Sequence, residues 1–333
     1  MNRYKKVFYA NYRIFVYLAN KLMNISTIHI AGGCFWGVEH FFHQIKGVVS
    51  TKTGYANGNI DNPSYEMVYA DDTGYAETVE VRYDRDRLPL AKLLRMYFTA
   101  IDPTSVNRQG EDSGTRYRTG IYYSDPNDLQ TILKAYEELR EDLGCEPAVE
   151  VEALGKWYPA EEYHQAYLKK NPEGYCHLPV KLFAYAKMAG ELEAMLGDEP
   201  DVTARMAECT AMISERLGFF WTGFYVVRPA IGGEGEELTV GPFQGPAACI
   251  RIQKGRGVCG TAWAQDRTQV VPDVEQFPGH IACSSHSRSE IVVPVHDSKG
   301  VIKAVLDIDS KELCTFDRID RLWLEMVSEL IYA

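Results

Sequence analysis

The chain has 333 residues, enough for two domains of ordinary size, and its hydrophobic content of 46% is that of a globular protein. A net charge of −11 argues against a nucleic-acid partner, and no apolar run reaches the roughly 20 residues of a membrane span. The eight cysteines lack the short spacings of a disulfide framework, which favours thiol chemistry in a reducing compartment, the cytoplasm.

The N-terminal stretch differs from the rest of the chain. Residues 1–22 are rich in basic and aromatic side chains, with Arg13 inside the apolar part. No small-residue cleavage site follows, so we expect an extension over residues 1–25 in preference to a signal peptide. Met23 offers an alternative start.

A glycine-rich turn then carries the first candidate nucleophile. The apolar run Ile28–Ile30 leads through Gly32 and Gly33 into Cys34, and a helical pattern follows. A thiol at a helix N-terminus is expected to have a pKa below its free value of ~8.5, because backbone N–H groups and the helix dipole favour the thiolate. The alternative is a buried structural cysteine at a turn.

A strand with alternating character carries the first candidate acid. In the segment 77–83, Glu77 shares a face with Val79, Val81 and Tyr83. On that apolar face a carboxyl group would have a raised pKa and stay protonated at pH 7. The pattern leaves open an edge strand on which the same glutamate reaches solvent.

The next elements read as core. A helix is predicted over 90–101, and another begins at Asp125-Pro126 and stops at Gly144. A strand over 149–153 and an aromatic-rich segment over 158–176 follow.

A short acidic break separates the two halves after a helix predicted over 181–196. We predict a first domain over residues 26–190, a linker over 191–200 and a second domain over 201–333, whose first helix is capped by Asp201 and ends at Gly218. Strands mixed with flanking helices indicate an α+β second domain. The predicted strands are 222–228, 237–240, 248–252, 290–295 and 301–309, and a last helix covers 317–331.

The first half resembles the peptide methionine sulfoxide reductase A family. The resemblance spans residues 26 to about 185, through the segments AGGCFWGVEHFF, TGYANG, NPSYEMV, TGYAETVEVRYD, DSGTRYRTGIYY and YHQAYLKKNPEGYC. It implies an α/β domain with a mixed sheet. It also implies reduction of methionine S-sulfoxide, in proteins and free, by thiol chemistry.

The resemblance assigns roles to individual residues. Cys34 would attack the sulfoxide sulfur and become a sulfenic acid, Glu77 would hydrogen-bond the oxygen, and Cys176 would resolve the sulfenic acid as a disulfide. Thioredoxin would then reduce that disulfide, and no cofactor is implied. The family positions that line the substrate site are matched by Phe35, Trp36, Tyr65, Asp112, Tyr117, His164 and Tyr167.

The second half resembles the free methionine-R-sulfoxide reductases, which have a GAF-type fold. The matching segments are FFWTGFYVVR, GPFQGPAACIRIQKGRGVCGTAWA, VVPDVEQFPGHIACSSHSRSEIVVPV and VLDIDS. By resemblance Cys283 attacks and either Cys259 or Cys249 resolves, a choice that remains open at this point. The substrate would meet an acidic pocket and an aromatic wall made of Glu290, Asp307, Asp309, Trp221 and Tyr225.

The leading hypothesis is a fused repair enzyme with one domain for each sulfoxide epimer. One alternative makes the second half a redox or ligand sensor that regulates the reductase. A cysteine hydrolase using Cys34 and His164 is a further alternative, which leaves Glu77 and Cys176 without a role. A zinc site from the C-terminal cysteines with His280 or His286 lacks the usual Cys-x-x-Cys spacing, and we expect no metal.

Overall fold

The computed structural model describes residues 24–70, 73–281 and 285–333, and its contacts divide the chain into two compact units at Phe183 and Ala184. Nearly all of the predicted extension, and Cys283, lie outside the described residues. Within the described ranges, no helix combines the length and apolarity needed to cross a bilayer.

The first unit is built on a six-stranded sheet with the order β7-β6-β1-β3-β2-β8. Its neighbouring strands run antiparallel except for β6 and β7, which are parallel, so the sheet is mixed as expected. A separate hairpin joins β4 and β5. The strands are β1 (Ile25–Gly32), β2 (Val48–Ala56), β3 (Ala76–Asp84), β4 (Arg108–Gln109), β5 (Asp112–Ser113), β6 (Thr119–Tyr123), β7 (Val149–Ala153) and β8 (Trp157–Pro159).

Helices cover this sheet with apolar faces. The predicted helix stop at Gly144 is confirmed: its φ of 66° is left-handed, and its N–H caps the preceding helix. Leu93, Leu94 and Tyr97 are fully buried, as the predicted helical spacing requires. The helices are α1 (Phe35–His43), α2 (Tyr65–Tyr69), α3 (Leu90–Thr99), α4 (Leu129–Leu143) and α5 (Tyr167–Lys170).

Helix α6 (Val180–Leu196) crosses the division between the units. The helix predicted over 181–196 is confirmed, and it includes residues 191–196, which we also counted in the linker. Tyr185 explains why the second unit begins inside it: its hydroxyl donates to Asp320 at 2.9 Å, and its ring stacks on Trp323. Both partners belong to the second unit.

The second unit contains a six-stranded antiparallel sheet with the order β11-β10-β9-β14-β13-β12. The predicted strand over 248–252 is shorter than expected, and β12 had no predicted counterpart. The strands are β9 (Trp221–Pro229), β10 (Glu236–Gln244), β11 (Arg251–Ile252), β12 (Gln269–Val271), β13 (Ser289–His296) and β14 (Ile302–Ser310).

Three helices complete this unit: α7 (Val202–Leu217), α8 (Gly257–Gln265) and α9 (Arg318–Ser328). Asp201 caps α7 by accepting a hydrogen bond from the Ala204 N–H at 2.8 Å, and Gly218 ends it with a φ of 70°, both as predicted. Helix α8 contacts β13 and β14. It thereby places its first turn beside the middle of the sheet.

Candidate active sites

The Cys34 thiol lies where β1 turns into α1. Gly33 has a φ of 83°, and a Cβ there would lie 2.6 Å from the Gln109 Cβ, so the turn requires glycine. Cys34 is the residue before the first turn of α1, and 6% of its surface is exposed. The strand, the turn and the helix therefore present this sulfur at the C-terminal end of β1, an interior strand of the sheet.

Our expectation of a lowered Cys34 pKa is wrong. Burial raises the pKa of this thiol well above its usual value, and the charge of Glu77 adds to the rise. The N–H of Trp36 at the helix N-terminus acts in the opposite direction but is the weaker effect. The resting nucleophile is thus a neutral thiol.

Glu77 is buried, which decides between the two alternatives left open by the strand pattern. Its side chain is 2% exposed, and its Oε2 accepts a hydrogen bond from the Phe35 N–H at 3.0 Å. Burial raises the pKa of Glu77 to about 8, although the Phe35 N–H and the Arg116 charge act to lower it. At neutral pH the acid form predominates beside Cys34.

Two tyrosines face the same carboxyl group. Burial and the Glu77 charge raise the pKa of Tyr65 to about 12, and the same two causes raise the pKa of Tyr117. The Arg116 guanidinium lies 4.4 Å from the ring centre of Tyr117 and acts electrostatically on Glu77. Sequence reasoning missed Arg116, although it stands directly before a tyrosine singled out by the resemblance.

An aromatic cluster forms the next wall. The Trp36 ring stacks on Tyr167 with 3.8 Å between ring centres, and its Nε1–H donates to His164 Nδ1 at 3.0 Å. Phe35 is 1% exposed and packs 5.1 Å from the His164 ring. Because the indole occupies the single acceptor nitrogen of a neutral imidazole, His164 has no lone pair left to take the Cys34 proton. This geometry disfavours the hydrolase alternative.

Another thiol of this site, that of Cys176, lies over the first turn of α1. A Cβ added at Gly37 would be 3.1 Å from the Cys176 Sγ. Cys34 and Cys176 are both free thiols, and they interact electrostatically. Residues distant in sequence are therefore brought to one helix end.

Asp112, from the β4–β5 hairpin, and His177 lie beside the Cys176 thiol. The Tyr175 hydroxyl donates to Asp112 Oδ2 at 3.0 Å, and His177 Nε2 lies 3.1 Å from the Gly32 carbonyl oxygen. Sequence reasoning missed His177. The available signal was the Cys-His dipeptide itself, since a histidine next to a reacting thiol can act as its base.

In the second unit, three carboxyl groups gather on one face of the sheet. Glu290 on β13 is paired in register with Asp309 on β14, and Asp307 lies two positions away on the same face. Glu290 and Asp307 are each 6% exposed. Burial raises the pKa of both well above the usual range, and the charge of Asp309 adds to the rise in each. Burial raises the pKa of Asp309 itself to about 6.

Cys259 lies against this cluster, from the first turn of α8. Its Sγ is 4.0 Å from Glu290 Oε1, and burial with the neighbouring carboxylates raises its pKa well above the usual value. Cys259 is a free thiol, whereas Cys249 is disulfide-bonded. A disulfide-bonded Cys249 has no thiolate to offer, which disfavours the zinc site considered above.

An aromatic wall and a cleft of about 550 Å³ complete the second site. Trp221 and Tyr225 stack with 5.9 Å between ring centres, and the Trp221 Nε1–H donates to the Pro246 carbonyl at 3.1 Å. The cleft is lined by these rings together with Cys259, Glu290, Asp307, Asp309, Arg256 and His280. It thus combines an apolar wall with an acidic floor.

Both halves match known families. The peptide methionine sulfoxide reductase model matches residues 26–193, and the GAF domain model matches residues 201–332. The peptide methionine sulfoxide reductase MsrA of Lachnoclostridium phytofermentans is 57% identical over 164 residues, covering 49% of this chain and 99% of that protein. The protein of the same name from Clostridium perfringens is 54% identical over 154 residues, or 46% of this chain and 98% of that protein.

A solved structure is similar to the second half. It is the free methionine-R-sulfoxide reductase from Neisseria meningitidis in complex with its substrate, 46% identical, with 44% of this chain and 86% of that chain covered and a TM-score of 0.42. The chain therefore belongs to the peptide methionine sulfoxide reductase family through residues 26–193, and it carries a GAF domain over residues 201–332.

Proposed function

We propose that this chain is a bifunctional methionine sulfoxide reductase with two separate thiol sites. The first domain reduces the S-epimer, in proteins and as the free amino acid, and the GAF domain reduces free methionine R-sulfoxide. The observation that carries the proposal is the neutral Glu77 acid buried beside the free Cys34 thiol, in a domain of the reductase family.

In the first domain, the substrate oxygen points toward Glu77 and the hydroxyl groups of Tyr65 and Tyr117. The S-methyl group rests on Phe35 and Trp36. The Cys34 sulfur attacks the sulfoxide sulfur while Glu77 donates a hydrogen bond to the oxygen, which stabilises the developing charge. Methionine leaves, the oxygen is transferred to Cys34 as a sulfenic acid, and the thiol proton ends on that oxygen.

Cys176 then resolves the sulfenic acid. Its sulfur displaces the hydroxyl group of Cys34 as water, and a Cys34–Cys176 disulfide forms. Its position over Gly37 at the start of α1 supports this role. The next cysteine along the chain after Cys176 is Cys209, which is fully buried in the second unit, so we assign a single resolving residue.

An external dithiol restores both thiols by exchange, and we assign this role to thioredoxin. The cycle uses no cofactor of its own. Because the chemistry requires reduced thiols at rest, we place the protein in a reducing compartment, the cytoplasm.

In the GAF domain, Cys283 attacks the sulfoxide sulfur and Cys249 resolves it. The disulfide-bonded state of Cys249, against the free and buried Cys259, favours this choice between the two candidates. Protonated Glu290 and Asp307 donate to the sulfoxide oxygen, and the Asp309 carboxylate attracts the ammonium group. That ammonium group distinguishes the free amino acid from a residue inside a peptide.

Two cysteine variants test the division of labour. We expect Cys34→Ser to abolish S-epimer reduction and to leave reduction of free methionine R-sulfoxide intact, and Cys283→Ser to do the reverse. An epimer-resolved assay with a chemical dithiol, on free and peptide-bound substrate, measures both activities. Loss of both activities in either variant contradicts independent sites.

A GAF domain is also compatible with a regulatory sensor, the second candidate function. The same Cys34→Ser variant separates the two, because a sensor domain without its own chemistry leaves this variant inactive on free methionine R-sulfoxide. Persistent R-epimer turnover in it excludes the sensor alternative.

A further inference from the structure

The His177 ring has a defined tautomer. Its Nε2 lies 3.1 Å from the Gly32 carbonyl oxygen, which can only accept a hydrogen bond. Nε2 therefore carries the ring proton and donates it to Gly32. The other nitrogen, Nδ1, has a free lone pair whenever the ring is neutral.

That lone pair has no hydrogen-bond donor within the described parts of the chain, although the His177 side chain is only 3% exposed. The nearest charged group is Asp112, whose Oδ2 lies 3.9 Å from Nδ1 and accepts a hydrogen bond from the Tyr175 hydroxyl. A proton arriving at Nδ1 would therefore be stabilised by a carboxylate held in place. A buried acceptor without a donor is uncommon and calls for an explanation.

The Cys176 thiol faces the same small space. A Cβ built on Gly37 would lie 3.1 Å from the Cys176 Sγ and 3.2 Å from the His177 Nδ1. The reacting sulfur and the free lone pair thus line one gap, which exists because residue 37 has no side chain.

We propose that His177 is the base of the resolving step, taking the Cys176 proton at Nδ1 as the Cys34–Cys176 disulfide forms. The inference rests on the resolving role proposed for Cys176. The S–S bond forms as the S–O bond of the sulfenic acid breaks, and the departing hydroxide takes a proton from the Glu77 acid to leave as water. The imidazolium and the carboxylate then exchange their proton through solvent, so nothing else is consumed.

Protonation states at rest agree with this geometry. Burial lowers the pKa of His177, so the ring is neutral and ready to accept, and burial raises the pKa of Cys176, so its thiol requires a base. The groups that face the pair are Asp112 from β5 and the Cys34 thiol from the start of α1. The neighbours Gly32, Gly33 and Gln109 carry no charge.

The experiment follows a single turnover of the full-length protein with methionine S-sulfoxide in the absence of reductant. Methionine release reports the first step, and quenched samples mapped by mass spectrometry report the Cys34–Cys176 disulfide. His177→Gln is the matched variant, since its amide nitrogen retains a donor toward Gly32 but offers no base. We expect unchanged methionine release and disulfide formation slowed about 100-fold at pH 7, with the gap closing at higher pH.

His177→Ala supplies a second readout, because added imidazole can enter the space and restore the rate. Disulfide formation in His177→Gln at the wild-type rate, or a slowing that neither pH nor imidazole relieves, overturns the inference and leaves His177 a structural role. A wild-type protein that releases no methionine overturns the proposed function itself, and the inference with it.

Discussion

Glu77 serves its proposed purpose only while it is neutral. Its buried site raises the pKa to about 8, because the loss of hydration outweighs the Phe35 N–H and the Arg116 charge, which act to lower it. A group with a pKa near the working pH combines a populated acid form with a useful driving force for proton donation. The reactivity of Cys34 consequently depends on its neighbours more than on its own ionisation.

Replacing Glu77 tests this dependence. We expect Glu77→Gln to slow methionine release about 100-fold or more at pH 7, because an amide donates a weaker hydrogen bond than a carboxylic acid. The wild-type rate should fall as pH rises through about 8, and the variant should show no such fall. Single-turnover methionine release between pH 6 and 9 measures both effects.

Glu80→Gln is the control, since Glu80 lies on the opposite face of β3. It should leave methionine release unchanged.

Stability gives an independent check, because the folded-state pKa of Glu77 lies above its unfolded value. The contribution of the Glu77 proton to the free energy of unfolding is fully present below about pH 4.5 and is lost as pH rises from there through about 8, at up to about 1.4 kcal/mol per pH unit. A wild-type unfolding free energy with the same pH slope as Glu77→Gln contradicts the raised pKa.

Asp309 is the carboxyl group of the second site whose charge matters at neutral pH. Burial raises its pKa to about 6, so it is ionised at pH 7 and neutral in mild acid. We expect the KM for free methionine R-sulfoxide to rise as pH falls through 6, and to rise about tenfold at pH 7 in Asp309→Asn. Steady-state assays across this range provide the measurement, with Asp297→Asn as control, since Asp297 is only partly buried and does not line the cleft. A KM in the Asp309 variant equal to that of wild type argues against ammonium binding there.

At the scale of elements, the start of α1 gathers the first site. The turn at Gly33 positions Cys34, and the Phe35 N–H donates a hydrogen bond to Glu77. The Cys176 sulfur lies over Gly37 in the first turn of the helix. One glycine thus leaves room for the sulfur that must approach Cys34. The glycine at position 37 therefore links the packing of this helix to the proposed resolving step.

Gly37→Ala should separate the two chemical steps. The added methyl group would lie 3.1 Å from the Cys176 Sγ, so the sulfur must move away, while alanine itself favours the helix by up to about 1 kcal/mol. We expect methionine release within about twofold of wild type and disulfide formation slowed about tenfold or more. Thiol titration of quenched samples measures the second step.

The control for this variant is Gly155→Ala, whose added Cβ makes only an ordinary contact, 3.4 Å from the Asn57 Oδ1. It should behave as wild type in both steps. Equal disulfide rates in Gly37→Ala and wild type would show that Cys176 reaches Cys34 without using the space over Gly37.

At the scale of the whole molecule, each unit has its own sheet, core and acidic site. The pKa values of two important carboxyl groups lie on opposite sides of neutral pH, with that of Glu77 about 8 and that of Asp309 about 6. In the proposed mechanisms, the first site requires the acid form of Glu77 and the second requires the charged form of Asp309. The two activities of one chain should therefore respond to pH in opposite directions.

A racemic mixture of free methionine sulfoxide tests this contrast. At subsaturating substrate, we expect the ratio of S-epimer to R-epimer turnover to fall roughly 40-fold between pH 5.5 and 9, because each pH unit beyond a required pKa costs up to a factor of ten. About fourfold of this fall comes from the titration of Asp309 at the acid end and about tenfold from that of Glu77 at the alkaline end. Chiral chromatography of the remaining sulfoxide measures it. Parallel profiles for the two epimers would contradict the carboxyl roles assigned here.

Local patterns in the sequence determined much of this molecule. Alternation placed Glu77 on the apolar face of its strand, and the caps Asp201, Gly144 and Gly218 set helix ends, because each depends on residues only a few positions apart. The β12 strand escaped prediction and β11 is shorter than the strand predicted over 248–252, since strands this short carry little periodicity of their own.

Tertiary structure alone decided the electrostatics and the long-range pairings. The Cys34 pKa rises where the local helix argument predicted a fall, because burial by distant segments outweighs one helix terminus. Tertiary structure also decided that Cys249 is disulfide-bonded while Cys259 is free, that the His177 Nδ1 lone pair has no donor among the described residues, and that the second unit begins inside α6. Burial and contacts between distant residues depend on the folding of the whole chain, so a short stretch of sequence does not reveal them.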